Sequence, residues 1–129
     1  MRIETTILKH LIYEDEYLRR VLPFLKQEYF TDKSDKTIFD ELVSFVEKYN
    51  NSPTIEALVL AVKERRNLNE DEVQNCEESL KDIQASATEK SDIQWLVDKT
   101  EKFCQEKAIY NAILGSISIL DGKDKQHDK

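Results

Sequence analysis

Two glycines and two prolines in 129 residues leave this chain very few places to turn sharply. Sheets built from hairpins need turn residues at short intervals, and Pro23, Pro53, Gly115 and Gly122 are too few and too scattered to supply them. With breakers this scarce and Glu, Lys and Leu abundant, the chain is predicted to be all-α. Its length suits a single domain able to bury one core without a disulfide or a metal.

Apolar spacing divides the chain into about six or seven helices. Ile3, Ile7, Leu8, Leu11 and Ile12 mark the first. Asp15 is placed to cap a short second one carrying Tyr17, Leu18, Val21 and Leu22, which Pro23 stops. Phe24, Leu25, Tyr29 and Phe30 read as an aromatic helical turn that plugs the core. Asp32 or Ser34 caps a helix to about Tyr49 with Ile38, Leu42, Phe45, Val46 and Tyr49 on its buried stripe. After the turn at Ser52, Pro53 and Thr54, the next helix carries Ile55, Leu58, Val59 and Val62. Asn69 with Glu72 forms a capping-box signal for a helix bearing Val73, Cys76, Leu80 and Ile83. A loop over 84–90 follows, then a second such signal at Ser91 and Gln94. The expected core comprises Ile7, Leu11, Leu18, Leu22, Phe30, Phe39, Leu42, Phe45, Leu58, Val62, Leu80, Leu96 and Phe103.

From Asp92 to Leu120 the helical pattern is unbroken until Gly122. Such a helix measures about 43 Å, more than a small domain needs to cover its core. Ile93, Trp95, Leu96, Val97 and Phe103 suffice to close the preceding helices, whereas Ile109, Ile113, Leu114, Ile117, Ile119 and Leu120 extend the apolar surface beyond them. Uncovered apolar surface of this kind marks a protein contact, so Ile109, Ile113, Leu114, Ile117 and Leu120 are the candidate oligomerisation residues. The organisation predicted is a globular helical head over 1–91, a long helix over 92–120, and a polar linker or tail over 121–129.

Composition removes several function classes. The net charge of −7 opposes a surface built to neutralise phosphates. The Lys63, Arg65 and Arg66 cluster reads as the charge complement of a helix C-terminus. No Gly-rich phosphate loop precedes a Lys and Ser/Thr, so no catalytic or cofactor-binding residue is assigned. Cys76, Cys104, His10 and His127 lack zinc-site spacing, and the cysteines read as free thiols of a reducing cytoplasm. No stretch approaches the roughly 20 apolar residues that span a bilayer.

The runs ILKHLIYEDEYLRRVLPFLKQEYF, IFDELVSFVEKYNNSPTIEALVLAV and WLVDKTEKFCQEKAIYNAI, in that order, resemble the opening of DnaB-type replicative helicases, above all those of T-even-like bacteriophages. The resemblance spans most of residues 3 to 120 and rests on the order of aromatic, SPT-turn and long-helix elements. It implies an N-terminal collar domain whose long helix is the first arm of a helical hairpin. It implies partners as well: other copies of the chain, as a dimer or a trimer-of-dimers collar, and primase. DNA would be met only through the full helicase, and ATP and Mg only in an absent motor domain. A free-standing helical adaptor that binds a replication or host partner is the alternative reading.

Overall fold

The computed structural model describes residues 2–87 and 92–127, from residue 118 by backbone alone. The elements are α1 (Ile3–Tyr13), α2 (Asp15–Val21), two single 3-10 turns (Leu22–Phe24 and Gln27–Tyr29), α3 (Lys33–Tyr49), α4 (Ile55–Glu64), α5 (Glu70–Ala85) and α6 (Ile93–His127). Among the described residues there is no strand.

α1 is the central helix and packs on α2, α3 and α5. Ile7, Leu8 and Leu11 are fully buried, and the helix is wrapped tightly enough to bury Lys9 and His10 too. The Lys9 ammonium reaches the Ser86 carbonyl at 3.3 Å, while Nδ1 of His10 lies 2.9 Å from the Thr6 carbonyl. α3, α4 and α5 pack on one another, and α3 and α5 carry this group onto α1. An aromatic cluster joins the turns to the rest: Phe30 lies 5.0 Å from Phe39 and 6.0 Å from Phe103, centroid to centroid.

Local chemistry fixes the element ends. The Asp32 carboxylate accepts from the Ser34 amide and Thr54 Oγ1 from the Ala57 amide, which satisfies otherwise orphaned donors of α3 and α4. Asn69 and Glu72 complete the capping box at both of its hydrogen bonds, 2.8 and 3.0 Å. α3 ends on Asn50 at φ 58°, the left-handed conformation that Asn tolerates. Ser52 then donates to the Leu11 carbonyl at 3.0 Å, pinning the turn against the end of α1.

Several expectations need correction. Asp15 does not cap α2; Glu14 holds that position without a side-chain bond, and Asp15 pairs instead with Arg19 at 2.8 Å. Ser91 lies outside the described residues; Asp92 caps α6 by accepting from the Trp95 amide at 2.9 Å. Phe45 and Leu22 are only half-buried. Phe45 packs on the exposed Tyr49 ring, 4.7 Å away; it shares the face of α3 that buries Ile38 and Leu42 but lies nearer the end of the helix. α6 also runs through Gly122, since one interior glycine costs a helix only about 1 kcal/mol relative to Ala.

Candidate oligomerisation interface

The first half of α6 is fastened to the head. Leu96 and Thr100 are fully buried, and Val97, Phe103 and Cys104 nearly so. The Thr100 hydroxyl donates to the Leu96 carbonyl at 2.7 Å, so the Tyr17 hydroxyl, 2.6 Å away, is the donor to Thr100. Burial holds the Tyr17 phenol well above its ordinary pKa, and it keeps its proton. Arg20 donates to Gln94 at 2.9 Å on the outer side. Further along, Lys107 reaches Thr31 Oγ1 at 3.2 Å and Asn111 donates to the Glu28 carbonyl at 3.0 Å.

Trp95 does not belong to the closing face. It is half exposed beneath the Lys99 ammonium, which lies 5.8 Å from the ring centroid, because it sits about 100° around the helix from Leu96. Its sequence neighbours Leu96 and Val97 close the core instead.

Beyond Asn111 the described side chains make no further hydrogen bond to the head, and the apolar side chains are open to solvent. Ile109, Ile113, Leu114 and Ile117 are 63%, 56%, 45% and 51% exposed, and the Leu120 and Ile119 side chains lie outside the described residues. Tyr110, absent from the sequence-based set, is 56% exposed in the midst of them. At about 100° per residue, Ile109, Ile113 and Ile117 form one row, while Tyr110 and Leu114 lie on the row that, nearer the head, carries Leu96 and Phe103. The two rows join into an arc about 140° wide, broader than the seam of a simple two-helix contact. Gly115 lies within this stretch, and a Cβ there would meet nothing within 4 Å.

The remaining reactive groups are structural. Burial raises the Cys76 thiol above its usual pKa and pushes Cys104 up to about 11, so both stay protonated. Among the described residues no three His, Cys, Asp or Glu side chains converge to hold a metal, and no helix is long and apolar enough to cross a membrane. Two members of the basic cluster at the end of α4 form ion pairs, Lys63 with Glu77 at 3.3 Å and Arg65 with Glu41 at 3.1 Å.

No family model matches the chain. Among curated proteins, the DnaB-like replicative helicase of Enterobacteria phage T4 is 34% identical over 123 residues, covering 95% of the chain and 25% of the helicase. This chain is homologous to a DnaB-like replicative helicase. The similarity includes the head and most of α6, so the element that projects from this helicase homologue is part of what the two proteins share. The chain spans about a quarter of that relative's length.

Proposed function

We propose that the chain is the N-terminal collar domain of a phage replicative helicase, which holds neighbouring subunits together and offers primase a docking surface. The observation that carries this reading is the apolar arc on α6, left uncovered where the helix parts from the head. On the same reading, ATP and Mg act in a motor domain outside these residues, DNA is engaged by the assembled helicase, and the protein works in the host cytoplasm.

Self-association is the testable core of the proposal. Apolar burial is worth about 25 cal/mol per Å², so the side chains of the arc supply several kcal/mol, most of which offsets the entropy of association. Sedimentation over a concentration series should show the wild-type chain growing heavier, and Ile113→Asp with Ile117→Asp should stay monomeric with unchanged helical content. A wild type that remains the same monomer as the double variant throughout would show that the arc does not pair copies of this chain.

A further inference from the structure

Burial along α6 ends abruptly. Phe103 and Cys104 are the last residues tucked into the head, and from Gln105 to Ile117 no side chain is buried. The helix nevertheless stays against the head for about two more turns. Among the described residues two hydrogen bonds join this stretch to the head: Lys107 Nζ donates to Thr31 Oγ1 at 3.2 Å, and Asn111 Nδ2 donates to the Glu28 carbonyl at 3.0 Å.

The two sides of this contact differ in rigidity. On the head side, Tyr29 and Phe30 are buried between the two acceptors, and Gln27 donates to Asp40 of α3 at 2.7 Å, so the acceptors are held in place. On the α6 side both donors are side-chain ends, and both bonds are open to solvent, so water competes for every partner. Lys107 Nζ also stands 6.0 Å from the ring centroid of the buried Phe103 and 5.7 Å from that of the exposed Tyr110. It therefore bridges the seated and the free parts of the helix.

Beside these contacts there is room. An open cleft of about 350 Å³ lies between the 3-10 turns and α6, lined by Phe24 and Tyr29 on one side and by Cys104 and Ala108 on the other. Ala108 lies about 60° around the helix from Asn111 and about 100° from Lys107, so the cleft opens on the flank of the polar contacts rather than beneath them.

We propose that Lys107 and Asn111 clasp α6 to the 28–31 segment and set the angle at which it leaves the head, and that opening the clasp lets the helix lean toward Phe24. Residues 105–111 span about 10 Å, over which the gentle curvature common in long helices turns an axis by about 6 to 10°. A bend of that size breaks no hydrogen bond of the helix. The device belongs to a single chain and uses none of the residues of the apolar arc, yet it decides where that arc points.

The test is the orientation of the amide N–H vectors, read from residual dipolar couplings of the chain in a weakly aligning medium. Ile113→Asp and Ile117→Asp are carried throughout, so that pairing of copies does not set the angle. In this parent, residues 106–117 should fit the alignment of the head. Thr31→Val with Asn111→Asp removes one acceptor and one donor at nearly constant shape, and neither change touches a buried side chain. Residues 93–104 should then keep the head's alignment while 106–117 turn by about 6 to 10° toward Phe24. The Ala108 methyl should gain a nuclear Overhauser contact with the Phe24 ring. Lys107→Arg, which keeps a donor for Thr31, should stay in the parent's orientation.

An unchanged orientation of 106–117 in the Thr31→Val, Asn111→Asp variant overturns the proposal, because contacts other than the clasp would then be fixing the angle. A turn away from Phe24 overturns it too, as does a parent whose 106–117 stretch already departs from the head's alignment. Lys107→Ala with Asn111→Ala removes both donors while raising helix propensity, so it gives the same reading if Asn111→Asp disturbs the helix.

Discussion

Asp35 brings its carboxylate to the start of α3 with only 2% of the side chain exposed. Arg2 Nη2 donates to its Oδ1 at 3.5 Å and lies 3.2 Å from Oδ2, close enough for charge attraction but not aligned for a second hydrogen bond. Burial raises the carboxyl pKa to about 6, against the pull of Arg2 and with a further push from Asp32 and Glu4. An unfolded aspartate titrates near 3.9, so between about pH 4 and 6 the folded chain holds a proton that the unfolded chain has released. This group's contribution to stability is therefore greatest below that window and is lost as pH rises through it. Asp35→Asn removes the titration. Urea midpoints measured from pH 4 to 7 should show wild type losing ground to the variant as pH rises, and parallel curves would contradict this account.

At the scale of the element, the joint between α3 and α4 depends on one backbone conformation. Asn50 occupies the left-handed region, where a residue with a Cβ loses about 1 to 2 kcal/mol unless it is Asn or Asp. Asn50→Ala should thus lower stability by about 1 kcal/mol, whereas Asn50→Gly should match or exceed the wild type, as thermal melts of the three proteins will show. The approximate end of α3, the Asn69–Glu72 box, the cap at Asp32 and the helical stripes were legible in the sequence, because all of them act within a few residues. What sequence spacing did not reveal was the side from which each helix is covered. Trp95 has the chemistry of a core residue but sits on a face turned away from the head, Phe45 shares the buried face of α3 yet is only half-buried near the end of the helix, and Lys9 and His10 are buried where three helices converge on α1. The open apolar groove where Leu18, Leu22 and Leu25 face Phe39, Val43 and Val46 belongs to the same class, since its walls are brought together by contacts between residues 13 and 31 positions apart. The apolar arc on α6 was legible because it is a property of one helix alone; Tyr110 was missed because its ring reads equally well as part of the head-facing row.

At the scale of the whole molecule, the charge balance bears directly on function. A chain of net charge −7, in which Lys63 and Arg65 are engaged in ion pairs, has little to exchange for the counterions of DNA. The chain alone should bind single-stranded DNA more weakly than the roughly 1 to 100 μM of ordinary nonspecific binders at physiological salt. A labelled oligonucleotide titrated in an anisotropy experiment checks this, and a micromolar affinity would place a nucleic-acid surface on the head. The tethering of α6 also has a mechanical side. Fixed to the head as far as Asn111 and helical to His127, it is a lever whose free arm measures about 24 Å. A tilt of about 5° at its root displaces the tip by roughly 2 Å, a distance comparable to the helix shifts that separate alternative packings of an interface. A slight rocking of the head is thereby amplified into a displacement of ångström size at the far end of the rod.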